Sequence, residues 1–152
     1  MTVFILIILF SVLLHQAGKF GLSPIKNLKD NARIATGLTF IFTGLFHFIT
    51  PDKFMMMMPP FLPFPLLLIY VSGFFEILGG IGLIVPFTKR AAAFGLVALL
   101  ISVFPANIYV ALNNVQLGGF MSNALYQWLR LPLQFLLILW VLWCSKGERK
   151  FS

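Results

Sequence analysis

The sequence is poor in cysteine and in charge of either sign. Its single cysteine, Cys144, excludes an intramolecular disulfide, a C-x-x-C motif and a thiol relay within one chain. Charged residues make up 10% of the chain and hydrophobic residues 60%, and the mean hydropathy is +0.98. A soluble globule of 152 residues needs far more polar surface, so the composition indicates a membrane protein.

Long apolar runs are abundant, and they lack the alternation of apolar and polar residues that a membrane-spanning strand requires. Each run is therefore expected to be a helix of about 20 mostly apolar residues. We predict an all-α, single-domain, polytopic membrane bundle. Its predicted spans are 2–18, 32–50, 66–86, 91–112 and 123–144.

The net charge of +7 reflects where the basic residues lie and does not indicate a nucleic-acid-binding surface. Basic residues concentrate in the connection 19–33, at Lys89 and Arg90, and in the tail 146–152. The two intervening connections carry either cancelling charges or none. By the positive-inside rule, this alternation predicts an N-terminus outside and a C-terminus in the cytoplasm.

The first span has one alternative, a cleaved signal peptide. No Lys or Arg precedes its apolar run, and cleavage after Ala17 would place His15 where a small residue is required. Cleavage would also leave the basic stretch 19–33 outside and invert every later connection. The sequence therefore favours a true span.

Small and polar residues recur at helical spacing within the later spans. In lipid, small residues let helix backbones approach each other, so these stripes predict the helix contacts of a compact bundle. The stripes are Ala32, Thr36, Thr39, Thr43 and His47; Ser72, Glu76, Gly79 and Leu83; Ala91, Gly95, Ala98, Ser102 and Ala106; and Asn123, Gln127, Arg130 and Gln134.

The polar side chains gather in the outer half of the predicted bundle. Glu76 falls near mid-membrane, Arg130 about 10–12 Å inside the outer end of its helix, and His47 and Asn107 about one turn inside theirs. Since a charge in hydrocarbon costs at least about 2.5–3.5 kcal/mol, we expect Glu76 and Arg130 to face the interior and to pair. Two interpretations remain: a structural ion pair, or a partly hydrated pocket in which a ligand's polar head meets these four residues.

Independent catalysis finds little support in the sequence. A haem would need both His15 and His47, which the predicted topology places near opposite membrane faces, roughly 20 Å apart. Ser72 and Ser102 have no evident base and no G-x-S-x-G context. We therefore predict no catalytic residue and no metal site, and we expect that the chain is not an enzyme by itself.

The segment Thr50 to Pro65 contains four consecutive methionines and five of the nine prolines. Thr50 is predicted to cap a short helix over 51–57 with Pro51 at its first position. Met55 and Met58 share a face, but two thioethers without His or Cys nearby make a weak copper site. Phe54, Met55 and Met58 are instead expected to form an apolar lid over the outer-half pocket, or a turn if no pocket exists.

Several motifs of the sequence are similar to those of the DoxX family of small bacterial membrane proteins. The motifs H-x3-P-x-x-F, P-P-x-L-P-x-P, S-G-x-x-E-I-L-G-G, F-P-A-N-I-Y and W-x-R-L-P-L-Q follow one another over roughly 32–143. The resemblance implies a four-helix domain over 32–145, an added N-terminal helix with a basic loop over 1–31, and location in the bacterial cytoplasmic (inner) membrane. The polar positions it implies are His47, Glu76, Asn107, Arg130 and Gln134.

Two functional hypotheses remain open from the sequence. In the first, the chain is an accessory subunit that binds a quinone or a lipid-like ligand in the outer-half pocket and associates with redox partners, as the family resemblance implies. In the second, it is a non-catalytic scaffold or assembly factor in which the polar cluster is purely structural. Homo-oligomerisation is compatible with either hypothesis.

Overall fold

A computed structural model describes residues 2–19 and 28–146 of the chain. The predicted basic loop lies largely, and the predicted basic tail almost entirely, outside these described residues. The described helices are α1 (Thr2–Lys19), α2 (Leu28–Ile49), α3 (Pro51–Met55), α4 (Pro65–Ile84), α5 (Lys89–Asn113) and α6 (Ala124–Ser145), and a short 3-10 helix (Gly119–Ser122) precedes α6.

The described chain is an all-α bundle, as predicted. Four of its helices, α2, α4, α5 and α6, are long and apolar enough to cross a membrane. Apolar residues continue over Val3–Gly18 in α1, which is shorter than these four helices. That α1 spans the membrane therefore stays a prediction.

The helices pack in an order that follows the chain. The helix α4 lies between α2 and α5, while α6 packs on α5 and also contacts α2, so the four long helices close into a bundle. The helix α1 packs against α2 on the outside of this bundle, where Asn31 donates a hydrogen bond to the carbonyl of Ser11 at 3.2 Å.

The backbones of α2 and α4 approach closely at two pairs of glycines. A Cβ added to Gly80 would lie 2.6 Å from the carbonyl oxygen of Gly37, and one added to Gly44 would lie 2.8 Å from that of Gly73. The two glycines of each helix are seven residues apart, so they lie on one face of that helix. The earlier glycine of α2 contacts the later glycine of α4, so the two helices run antiparallel. Small residues thus make the contact between these two helices, although through four glycines that lie beside the predicted stripes and not in them.

The stripe of small residues on α5 does not form such a contact. Ala91, Gly95, Ala98 and Ser102 are exposed, and a Cβ added to Gly95 would meet nothing within 4 Å. The helix α5 instead turns larger side chains inward, as at Leu96, which packs against Gly79 of α4. The prediction was wrong here because the spacing of small residues identifies one face of a helix but does not show whether a neighbouring helix covers that face.

One buried arginine ties the start of α2 to the end of α4. The guanidinium of Arg33 is 5% exposed and donates from Nη1 to the carbonyls of Leu83, at 2.6 Å, and Ile84, at 2.5 Å. Asp30, one turn earlier in α2, pairs with Nη2 of Arg33 at 3.1 Å. The last carbonyls of a helix carry partial negative charge and lack helical partners, so this cation satisfies the end of α4.

The short helix after α2 begins where the sequence predicts but ends earlier. Thr50 precedes it and Pro51 is its first residue, whereas the helix ends at Met55 and not at Met57. The Thr50 hydroxyl donates back to the carbonyl of Phe46 at 3.2 Å, and no side-chain cap bond is made. The preceding helix therefore takes the hydroxyl that was expected to cap α3.

The glycine contact generates a direct stability test. We expect Gly80→Ala to lower the free energy of unfolding by about 1–3 kcal/mol, because its new methyl group would overlap the Gly37 carbonyl. Gly95→Ala is the matched control; it adds the same methyl group in open space and should leave stability unchanged or slightly raised. Thermal unfolding in detergent checks both variants, and equal melting temperatures would contradict the proposed close packing.

Candidate functional site

Four polar side chains meet where the second half of α2 packs against α4. We call Thr43, His47, Ser72 and Glu76 the histidine–glutamate cluster. The Thr43 hydroxyl lies 3.0 Å from Oε2 of Glu76, and it shares its single proton between this carboxylate and the carbonyls of Thr39 and Phe40, at 3.0 and 3.2 Å. Oε1 of Glu76 lies 3.7 Å from Nε2 of His47. The exposed fractions of the His47 and Glu76 side chains are only 10% and 17%. The cluster is thus nearly enclosed within an apolar bundle.

The absence of a side chain at Gly73 makes room for this cluster. A Cβ at that position would lie 2.5 Å from the Cβ of His47, so a larger residue would push the imidazole away from α4. His47 and Thr43 are four residues apart on α2, and Ser72 and Glu76 are four apart on α4, so each pair projects from one helical face.

The surroundings of His47 define which ring nitrogen carries a proton. Nδ1 lies 3.1 Å from the carbonyl oxygen of Ile69, which can only accept a hydrogen bond. Ser72 Oγ lies 3.0 Å from the same nitrogen and donates its own proton to Ile69 at 2.8 Å. Nδ1 is therefore the protonated nitrogen, and Nε2 is the atom that faces Glu76.

The two atoms that face each other keep hydrogen-bonding capacity. Within the described part of the chain, Nε2 of His47 makes no hydrogen bond, and Oε1 of Glu76 makes none either. Their separation of 3.7 Å exceeds the length of a hydrogen bond, although it permits a charge interaction. With Nδ1 already protonated, a proton added to this pair resides on Nε2 or on the carboxylate, so the pair can donate when it holds that proton and accept when it does not.

An aromatic ring from α3 covers the cluster. The ring of Phe54 lies over the imidazole of His47 with centroids 3.9 Å apart and planes tilted by 33°. Phe54 therefore contacts the cluster, and its role as a lid over a pocket stays a prediction. Met55 is exposed and Met58 is half-buried, and their role in a lid stays a prediction.

The remaining predicted polar residues form a second cluster between α5 and α6. Arg130 Nη2 donates to Asn107 Oδ1 at 2.6 Å, and Asn107 Nδ2 donates to Gln134 Oε1 at 2.6 Å. Gln134 in turn donates to the carbonyl of Leu100. We call this chain of hydrogen bonds the amide relay.

The expected pair between Glu76 and Arg130 is not formed. Among the described residues, the ion pairs within 4.0 Å are those of Arg33 with Asp30 and of His47 with Glu76. The reason is helix placement: Glu76 faces α2 from α4, whereas Arg130 faces α5 from α6. Sequence spacing predicted both inward faces correctly but not which helices would be neighbours.

Sequence reasoning also missed residues that support the site. Thr43 and Ser72 were predicted as parts of packing stripes, yet both bond directly to the two central residues of the histidine–glutamate cluster. Their signal was present, because each lies four residues from His47 or Glu76 on the same face. Arg33 was read as a loop charge, although it is buried inside the bundle.

The described residues offer no other obvious reactive centre. They contain no group of three His, Cys, Asp or Glu side chains that could hold a metal ion. Cys144 is buried, and its thiol donates to the carbonyl of Val141 at 3.4 Å. His15 is exposed on α1.

Comparison with known families gives one result. A family model described as Domain of unknown function (DUF8561) matches residues 36–145. The chain belongs to this family. The DUF8561 region runs from Thr36 in α2 to the last residue of α6, so it contains both the histidine–glutamate cluster and the amide relay. No curated protein and no solved structure matches the chain, and the likeness to the DoxX family stays a prediction.

The hydroxyl of Thr43 generates a prediction about the cluster. We expect Thr43→Val to lower the free energy of unfolding by about 1–3 kcal/mol, because Oε2 of Glu76 loses its donor inside the bundle. Thr50→Val is the control of identical shape change, since the Thr50 hydroxyl bonds only a backbone carbonyl at the surface. Thermal unfolding in detergent compares the two variants, and an equal loss in both would show that Thr43 does not support Glu76.

Proposed function

We propose that this DUF8561 protein is a multi-pass accessory subunit that binds the polar headgroup of a quinone or lipid-like ligand between His47 and Glu76. The observation that carries the proposal is the pair of facing atoms, Nε2 and Oε1, held 3.7 Å apart in an apolar bundle with hydrogen-bonding capacity to spare. A polar pair kept in this state costs stability, which favours a role beyond packing.

The chemistry of the pair suits a headgroup that changes between acceptor and donor. A quinone presents carbonyl oxygens, which need a donor, whereas a quinol presents hydroxyl groups, which need an acceptor. With one proton held between His47 and Glu76 the pair can donate, and without it the pair can accept. Ile69 and Ser72 hold the imidazole in place through Nδ1 in both states.

The cover of the site leaves the edge of the imidazole for the ligand. Phe54 belongs to a five-residue helix, and its ring lies over the face of His47. Because Nε2 makes its hydrogen bonds in the plane of the imidazole, the headgroup in this proposal meets the ring edge beside Glu76 while Phe54 stays over the ring face. The amide relay is left out of the binding site because its members bond to each other across α5 and α6.

We further propose that the protein lies in a bacterial cytoplasmic membrane with its N-terminus outside and its C-terminus in the cytoplasm. Basic side chains support this orientation, because Lys29 and Arg33 start α2 and Lys89 and Arg90 start α5. Lys29 lies 5.6 Å from the ring of Trp143 near the end of α6, so these basic groups share one end of the bundle. Association with redox partners rests on the DoxX resemblance alone.

A second candidate function is a non-catalytic scaffold or assembly factor. It is favoured by the fact that the cluster also joins α2 to α4, through Thr43 to Glu76 and through His47 to Ile69. In that case the polar contacts add specificity to the glycine contact, and no ligand enters.

Ligand binding by Glu76→Gln separates the two functions. The amide keeps the shape of the side chain and can still accept from Thr43, but it cannot exchange a proton with His47. We expect native mass spectrometry to show decylubiquinone bound to the wild-type protein and binding at least about tenfold weaker in the variant. Ser102→Ala is the control, because Ser102 is exposed and bonds only a carbonyl of its own helix.

The scaffold predicts a different pattern of results. The wild-type protein would retain no decylubiquinone, and Glu76→Gln would lower only the melting temperature. That pattern would overturn the headgroup proposal.

Reporter fusions test the proposed orientation. Green fluorescent protein at the C-terminus should fluoresce, since it matures in the cytoplasm, whereas alkaline phosphatase at the C-terminus should be inactive. Alkaline phosphatase fused after Lys53, in the connection between α2 and α4, should be active. The reverse pattern would contradict the proposed topology.

A further inference from the structure

Arg130 is a cation within a membrane-spanning helix that lacks an acidic partner. No Asp or Glu of the described residues lies within 4.0 Å of its nitrogens, and its side chain donates one hydrogen bond, to Asn107. A guanidinium carries five N–H donors, so most of its donors are left for another acceptor. In an apolar surrounding such a charge requires a counter-charge.

The amide relay cannot supply that counter-charge. Arg130 can only donate and the carbonyl of Leu100 can only accept, so the two ends fix the orientation of both amides between them. Asn107 must present its oxygen to Arg130 and its nitrogen to Gln134. The relay is therefore neutral throughout, and it orients the guanidinium without neutralising it.

The position of Arg130 along α6 points to the outer surface of the bundle. It lies six residues beyond Ala124, about 9 Å along the helix axis, and Asn107 lies six residues before the end of α5, at an equal depth. The connection 114–123 above them contains no charged residue. The long Arg side chain tilts toward the N-terminal end of its helix and so shortens the distance to the level of the lipid phosphates.

We propose that Arg130 binds the phosphate group of an anionic lipid headgroup, with Asn107 and Gln134 as positioning residues. A planar guanidinium matches two phosphate oxygens with two parallel hydrogen bonds, and the bond to Asn107 leaves further N–H donors of Arg130 for such an anion. The proposal is independent of the headgroup site at His47 and Glu76, because the amide relay belongs to different helices.

Binding of defined lipids to the whole protein tests this site. We expect native mass spectrometry in detergent to show retention of dioleoylphosphatidylglycerol and no comparable retention of dioleoylglycerol, which lacks phosphate. Arg130→Gln should weaken phosphatidylglycerol binding at least about tenfold, since it removes the charge-assisted hydrogen bonds. Arg90→Gln is the matched control, because Arg90 is exposed at the opposite end of the bundle.

Two further variants keep the test decisive if Arg130→Gln folds poorly. Arg130→Lys retains the charge but loses the fork, so we expect binding a few-fold weaker than in the wild type. Asn107→Leu removes the acceptor that orients Arg130 and should also weaken binding a few-fold, while helix content by circular dichroism stays unchanged. Decylubiquinone binding measured in parallel should be unaffected in all three variants, which separates this site from the one at Glu76.

Several outcomes would decide the proposal. Equal phosphatidylglycerol binding by wild-type and Arg130→Gln proteins would overturn it, and so would equal retention of dioleoylglycerol. If millimolar inorganic phosphate released the lipid from the wild-type protein, Arg130 would be an anion site whose natural ligand is a free anion, and the lipid proposal would be overturned. Retention of the lipid in that phosphate solution would assign the site to the headgroup.

Discussion

The histidine–glutamate cluster depends on how closely the backbones of α2 and α4 approach each other. Gly44 and Gly73 leave no Cβ between the two helices, and the imidazole of His47 fits into the space beside Gly73. A separation of one additional methyl group would carry His47 away from Glu76, since the two side chains are already 3.7 Å apart. The close packing at Gly44 and Gly73 thus determines the distance between His47 and Glu76.

The polar contacts divide the bundle into two helical hairpins. Arg33, Thr43 and His47 of α2 find their partners on α4, while Asn107 of α5 finds its partners on α6. Between the hairpins the contacts are mainly apolar, as where Leu96 packs on Gly79. Polar contacts also cross between the hairpins: the indole of Trp140 donates to Thr36 at 2.9 Å, and Lys29 lies 5.6 Å from the ring of Trp143. The polar contacts of the two clusters themselves lie within the hairpins.

Much of the fold could be predicted from the sequence, because apolar length and turn residues act locally. The predicted spans agree with α2, α4, α5 and α6 to within a few residues, and Pro51 begins α3 as expected. The inward faces of His47, Glu76 and Arg130 were also predictable, because helical spacing groups them with small residues.

The partners of these residues were not predictable in the same way. Opposite charge favoured Glu76 with Arg130, but a neutral amide on the neighbouring helix takes Arg130, and a histidine 29 positions away takes Glu76. Which helices become neighbours depends on contacts such as Gly37 with Gly80, which are distant in sequence and have no charge to mark them. Residue spacing shows which side chains share a face of one helix, whereas the site forms between side chains of two neighbouring helices.

The bond from Arg33 to the last carbonyls of α4 has a consequence for how the chain enters the membrane. When α4 leaves the ribosome, the partners of Arg33 and Glu76 described above have all been synthesised. The first hairpin can therefore move from the translocation machinery into lipid before α5 and α6 are made, because Arg33 and Glu76 do not need partners from those helices. Biogenesis can then proceed in two steps, each of which releases one pair of helices. In each pair the charged side chains inside the bundle have their partners within the pair, with the exception of Arg130.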